Sequence, residues 1–411
     1  MDENKVNLPN NLCLTPFTHI TFDPAMNVSP CPALGGSVWN FEGQSYADIW
    51  NNSEYQSFRD HMLDNGKHEV CQRCWNEEAV GMKSERTMLW DPVEDPTGQK
   101  TFILDTNKTA CSVAEPNNYR AGPMQIVIKV GNVCNLRCRS CNSADSITLA
   151  VEGRYYAEKH GFKKNFYIKE TEPKIFTDQQ IDEIIKFCDN VVRIEFYGGE
   201  PLLDRQMPKF LKKLVELGHS KRINLNISTN ITQKINDDLI QVLSNFNHVN
   251  INLSIDGWGD KFTYLRHPAD WDQVYENIHQ FIQLRDRDVI NMSLLPVITV
   301  TSMNVYYLPE LITNIKQHFD LGVFLILAWY PYYYSVRNIP AEISQEICNK
   351  LSGFELHNLD PIIEAVKSPA NLKSWNEFLV WTRMVDEYRQ EDFSATFPEY
   401  ADIIKKHGYQ I

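Results

Sequence analysis

Cys134, Cys138 and Cys141 stand in the segment VGNVCNLRCRSC, three thiols at CxxxCxxC spacing. On a loop leaving a strand end, thiolates so spaced can each bind one iron of a cubane cluster and leave the fourth iron without a protein ligand. A structural zinc asks instead for four ligands and a closed shell. A second set, Cys13, Cys31, Cys71 and Cys74, ends in a CxxC pair and supplies four thiols. Four thiols saturate one iron–sulfur cluster, and the count fits a four-cysteine zinc equally well. Of the ten cysteines, Cys111, Cys188 and Cys348 stand alone. Cys188 follows the apolar helical pattern IIKF and reads as a core thiol, and the other two have no set to join.

Further polar motifs end apolar runs downstream. In EFYGGEPLLD, Gly198 and Gly199 permit close backbone approach and Glu200 can accept hydrogen bonds from an ammonium group. LNISTN carries Ser228 and Asn230, LSIDG carries Asp256, and FTYLRH carries Arg266, a planar fork suited to a carboxylate. Asp256 is either a turn former or a polar group at a site mouth. The run WYPYYYS offers Tyr330, Tyr332, Tyr333 and Tyr334, which either cover the core or line a groove for a peptide or sugar.

The elements that must position these residues alternate along the chain. Strands are predicted at Gln125–Gly131, Val192–Tyr197, Ile223–Ser228, Val249–Ile255, Met292–Thr299 and Val323–Trp329. Helical patterns near Ser146–His160, Asp178–Cys188, Gln206–Leu217, Asp237–Asn245, Trp271–Arg285 and Val305–Phe319 separate or follow them. Such alternation gives βαβ units and a parallel sheet, here an α/β fold of partial (β/α)6 TIM-type barrel, with chemistry at the C-terminal strand ends. Residues 1–90 read as a first unit, with a strand pair near His19–Thr21 and Val28–Pro30 and a helix over Ser45–Leu63. The Pro/Asp/Asn-rich stretch 91–123 reads as a linker, 124–335 as the barrel, and 336–411 as a C-terminal helical extension containing Leu372–Tyr388.

The chain of 411 residues is 43% hydrophobic and 23% charged, the composition of an ordinary globular protein. A net charge of −13 argues against a general binder of nucleic acid or anionic membrane. With neither a long apolar run nor an apolar leader, a cytoplasmic location is expected.

With the CxxxCxxC loop after the first barrel strand and GGEP after the second, the chain resembles the radical S-adenosylmethionine (SAM) superfamily. The resemblance implies a [4Fe–4S] cluster on Cys134, Cys138 and Cys141, whose open iron binds the amino and carboxylate groups of SAM. It implies that Gly198, Gly199 and Glu200 hold the SAM amino group, that Ser228 and Asn230 meet the ribose hydroxyls, and that Arg266 pairs with the carboxylate. Reductive cleavage of SAM to a 5′-deoxyadenosyl radical and hydrogen abstraction from an unactivated C–H bond follow, with an electron donor such as flavodoxin or ferredoxin. CLTPFTHITFDPAMNVSPC followed by CQRCW resembles the SPASM/twitch auxiliary-cluster modules, here N-terminal to the barrel, and implies a second [4Fe–4S] cluster on Cys13, Cys31, Cys71 and Cys74. That hairpin lacks the usual glycine before its second cysteine, and Asn27 is expected to take the left-handed turn position. Where relatives often place an aromatic residue beside the adenine this chain has Ser140, so that contact is expected near Leu325–Leu327. The expected substrate is a peptide or protein side chain, undergoing oxidation, epimerisation or cross-linking, and no catalytic side chain is identified. The alternatives are a carbohydrate or aminoglycoside epimerase or dehydrogenase, and a non-enzymatic zinc-binding scaffold.

Overall fold

A computed structural model describes residues 13, 15–34, 39–40, 45–63, 68–88, 122–161 and 170–411. Most of the expected linker, with Cys111, lies outside the described residues. The strands are β1 (His19–Phe22), β2 (Asn27–Ser29), β3 (Trp39–Asn40), β4 (Gln125–Lys129), β5 (Arg193–Tyr197), β6 (Asn224–Thr229), β7 (His248–Ser254), β8 (Met292–Val300) and β9 (Phe324–Leu327). They form one sheet in the order β3-β2-β1-β4-β5-β6-β7-β8-β9, and β4 to β9 run parallel. The six barrel strands lie where alternation places them, and helices connect them as βαβ units.

The N-terminal strands do not stand apart from this sheet. β1 pairs parallel with β4, His19 opposite Gln125 and Phe22 opposite Ile128, while β2 and β3 extend the edge antiparallel. At the β1–β2 turn the left-handed residue is Met26 (φ 59°), not Asn27. Asp23 explains the shift, because its carboxylate accepts from the backbone N–H of Ala25 and Asn27 and from the Asn27 side chain. Asn27 is thereby held in β2 and the turn falls one residue earlier. The single helix expected over Ser45–Leu63 is two, Tyr46–Trp50 and Ser53–Leu63, with Asn52 capping the second through the Tyr55 N–H.

One face of the sheet is apolar and packs on the helices. Ile20, Ile126, Ile194, Leu225, Val249 and Ile298 are all fully buried there. The helices supply the matching stripe, as Ile181, Ile184 and Ile185 do from Asp178–Lys186, and Phe210, Leu211 and Leu214 from Gln206–Glu216. Along β8 the residues of the opposite, concave face keep some accessible surface, in strict alternation with the buried ones. That face lines a lumen.

The C-terminal extension is helical, with Ala341–Ser352, Asp360–Val366, Leu372–Arg389 and Pro398–Lys406. Among the described residues no helix is long and apolar enough to cross a membrane.

Candidate functional site

Past β4 the chain turns at Gly131 (φ 123°), where an added Cβ would come within 2.0 Å of the Lys174 carbonyl oxygen. Only glycine fits that crossing. Asn132 is fully buried and pins the loop that follows. Its amide donates to the carbonyls of Ser143 and Glu172, and its oxygen accepts from the Lys174 N–H. Nothing in the sequence reading singled this residue out, although a polar residue between Gly131 and Cys134 was its available signal.

The loop brings Cys134, Cys138 and Cys141 into one electrostatic neighbourhood. Burial pushes the Cys134 thiol up to about 12 and raises Cys138 and Cys141 as well; neighbouring thiols add to the effect at Cys134 and Cys141, while Arg266 opposes it at Cys138. Left alone, such groups stay protonated; a bound metal cluster supplies the positive charge that makes them thiolates. The Cys134 sulfur accepts from the Leu136 N–H at 3.4 Å and the Asn230 amide at 3.6 Å. Among the described residues no three His, Cys, Asp or Glu side chains group around a single metal ion.

The GGEP turn packs directly on this loop. An added Cβ on Gly199 (φ 52°) would meet the Val133 carbonyl oxygen at 2.7 Å, and one on Gly198 would meet the Lys129 side chain at 2.6 Å. These two glycines therefore join the β5 turn to the cysteine loop, and the Glu200 N–H donates to Val133 at 2.9 Å. The Glu200 carboxylate is 1% exposed and accepts from the Leu202 N–H, the Thr229 hydroxyl and the Asn230 N–H. Burial raises its pKa and these donors oppose the rise.

The remaining expected residues separate into two groups. Asn230 is spent within the loop cluster: its amide donates to Asn135 and Cys134 and its oxygen accepts from Thr232. Ser228 lies partly accessible on the concave face, accepting from Asn252 at 3.2 Å. Arg266 is paired with Asp256 at 2.7 Å, both side chains largely buried, and its Nε has no hydrogen-bond partner. It also lies close enough to Cys138 and Cys141 for their charges to matter. Asp256 further accepts from the Thr299 N–H, so it builds the strand ends as well as holding Arg266. Of Leu325–Leu327, only Ile326 faces the lumen, since Leu325 and Leu327 are buried on the helix side.

Sequence reasoning missed how firmly the C-terminal extension grips the cysteine loop. Arg139 is buried, ion-paired with both Asp386 and Glu391, and stacked over the Tyr264 ring at 3.6 Å. Arg389 holds Glu152 and the Arg137 carbonyl, and Glu391 also holds His267 at 2.6 Å.

Cys13, Cys31, Cys71 and Cys74 all line one space, with Pro16, Leu34, Phe58, Met62, Val70 and Trp75 as its apolar walls. Arg73 and Arg86 reach the same space. Burial pushes Cys13 up to about 12 and Cys71 up to about 11, and the Cys74 charge raises both further. The donor set suits a thiolate-bound cluster, and the two guanidiniums beside it are themselves ion-paired, Arg73 with Glu77 and Arg86 with Glu78. Cys188 and Cys348 are buried, Cys188 bonded to the Ile184 carbonyl and Cys348 to the Ile363 carbonyl. Of the tyrosine run, Tyr333 and Tyr334 are core while Tyr330 and Tyr332 are exposed.

A profile of the radical SAM superfamily matches residues 128–304, and a profile described as an iron-sulfur cluster-binding domain, SPASM, matches residues 13–75. Molybdenum cofactor biosynthesis protein 1 of Dictyostelium discoideum is 23% identical over 154 residues, which are 37% of this chain and 21% of that protein. The chain thus spans about a fifth of that relative's length. Among solved structures, SuiB of Streptococcus suis bound to precursor peptide SuiA is similar at 14% identity and TM-score 0.37, covering 86% of this chain and 66% of that one. Native anSMEcpe with bound AdoMet is similar at 18% identity and TM-score 0.38, covering 64% of this chain and 66% of that one.

Proposed function

Starting from a chain that carries a radical SAM domain behind a SPASM-type iron–sulfur domain, we propose that it abstracts a hydrogen atom from an unactivated C–H bond of a peptide or protein side chain. It is an enzyme of a superfamily that works with [4Fe–4S] clusters and SAM. When bound, the cluster and SAM supply one-electron reductive cleavage and a 5′-deoxyadenosyl radical. The observation that carries the reading is the junction of three things at one strand-end platform: the cysteine loop, the buried Glu200 and the largely buried Arg266 with its free Nε.

In this reading Cys134, Cys138 and Cys141 hold the catalytic cluster. Glu200, with the backbone of Gly198 and Gly199, receives the ammonium of SAM, and Arg266 receives its carboxylate through the donor that Asp256 leaves free. Ser228 faces the ribose hydroxyls, and Asn230 supports the site by donating to Cys134. Cys13, Cys31, Cys71 and Cys74 hold the auxiliary cluster, as an electron relay or a structural support. The division into residues 1–90, 91–123, 124–335 and 336–411 follows the same reading. A polymer substrate is supported by the open sheet, whose edges at β3 and β9 are not paired with each other, and by the exposed rings of Tyr330 and Tyr332.

Anaerobic reconstitution with iron and sulfide, then reduction in the presence of SAM, should release 5′-deoxyadenosine. With deuterated candidate peptides that product should gain label. Protein that binds zinc alone and leaves SAM intact would refute the radical reading.

A further inference from the structure

Parallel strands covered on both faces usually read as apolar on both, and the lumen of a (β/α) barrel is usually filled with branched side chains. Here one row across the concave face is polar. In register from β1 to β8 it runs Thr21, Val127, Glu195, Asn226, Asn250 and Ser293. The neighbouring row contributes Arg193, and the helix Glu85–Met88 of the N-terminal module brings Glu85 into electrostatic contact with both Glu195 and Arg193. Glu195 lies on the concave face by register and Glu85 lies near it, and both keep some accessible surface.

Two observations indicate what this row receives. Asn226 is 5% exposed, lies opposite Glu195 in the sheet register, and its Oδ1 has no partner. The hydroxyl of Thr21, 6% exposed on the same row, also has no partner. A buried acceptor without a donor is costly and asks for a donor from a ligand. The charges agree. Arg73 is engaged by Glu77 and Lys129 by Asp145, and burial together with the Arg193 charge keeps His19 neutral. Among the described residues, two carboxylates, Glu85 and Glu195, thus lie beside one guanidinium, Arg193. Burial and the charge of Glu195 push the Glu85 carboxyl up to about 7, against the opposing charges of Arg193 and Arg73.

We infer that the lumen floor formed by Glu195, Glu85 and Asn226 is a recognition site for a protonated amine on the substrate. The inference rests on the proposed function only in calling the occupant a substrate. Glu195 lies two residues before the end of β5, so the amine would sit about 7 Å below the strand-end platform. The opposite wall, with Leu295, Val297 and Phe324 on β8 and β9, is apolar and suits the alkyl part of such a group. The N-terminal module then contributes a side chain to the substrate site as well as a cluster.

The test is calorimetric titration of reconstituted, SAM-loaded holoprotein with n-hexylammonium and with n-hexanol, which shares the alkyl chain and lacks the charge. The ammonium should bind at least about tenfold more tightly. Glu195→Gln and Glu85→Gln should each remove most of that preference with iron content and SAM binding intact, while Asp182→Asn on an exposed helix should not change it. Asn226→Asp, which adds a carboxylate to the same floor, should increase the preference and covers the case of a glutamine variant that does not fold. An affinity for the ammonium no better than for the alcohol overturns the inference, as does a preference unaltered in these variants. A preserved preference in protein that never cleaves SAM would refute the radical reading and leave the amine site standing; SAM cleavage without the preference would do the reverse.

Discussion

In the proposed reading, the two cysteine sets solve the same ligand problem in opposite ways. The triplet 134–141 comes from one short loop, and almost everything that orients it comes from elsewhere: Asn132 beneath, the Gly199 turn beside it, Asn230 on a sulfur, and the C-terminal extension through Arg139 and Arg389. The N-terminal quartet comes from separate stretches of chain, and its surroundings are an apolar wall with two guanidiniums. A loop that must leave one side open cannot be closed by its own ligands, so it depends on an external clamp. A saturated set closes on itself and needs only a dry pocket.

The strongest way to break this comparison is to remove one set at a time. Replacing Cys134, Cys138 and Cys141 with Ala should abolish SAM cleavage and leave about four of about eight irons per chain, read by iron and sulfide analysis. Loss of all the iron would show that the sites are one cooperative unit. The converse change, Cys71→Ala with Cys74→Ala, should leave reductive SAM cleavage intact. If the reaction is a net oxidation and the auxiliary cluster a relay, 5′-deoxyadenosine should then outrun oxidised product; full coupling would leave that cluster a structural role.

The clamp gives a sharper contrast. Arg139→Met leaves Asp386 and Glu391 without their buried partner, which should cost about 3 kcal/mol in denaturant unfolding. The triplet should lose its iron before the quartet does. Equal loss from both sets would mean that the extension stabilises the whole sheet rather than the loop. The smallest effect expected is on SAM itself. Arg266→Ala and Glu200→Gln should each weaken SAM binding about ten- to a hundredfold in equilibrium dialysis, with the iron of both sets retained. Unchanged affinity in Arg266→Ala would assign that side chain wholly to its pair with Asp256.

What was legible in the sequence, and what was not, follows from the distance over which each feature is encoded. β4 to β9 were readable because each is a local apolar run followed or preceded by a helical stretch. The thiols and GGEP were readable because their spacing is local too. The pairing of β1 with β4 was hidden, because HITF is four residues long and its parallel partner begins more than a hundred residues later with no turn to announce it. The Arg139 clamp joins residues about 250 positions apart, and nothing in RCRSC distinguishes a buried arginine from an exposed one. Met26 took the left-handed position because Asp23 captured the following amides, a competition that residue preference alone does not resolve. Asn230 was expected at the ribose from the resemblance carried by LNISTN, and the hydrogen bonds by which it ties the cysteine loop to β6 could not be read from that motif.

The parallel pairing of β1 with β4 also bears on how the protein is made. Synthesis releases Cys13 and Cys31 first, yet the strand between them has its barrel partner only after Gln125 to Lys129 have emerged. At a ribosomal pace of about 5–20 residues per second, that leaves the N-terminal thiols without their finished scaffold for roughly 5–20 seconds. The scaffold of these two thiols is therefore completed by a strand made long after them, although they come first in the chain. A nascent chain stalled ahead of β4 should carry thiols more open to oxidation than those of the finished protein.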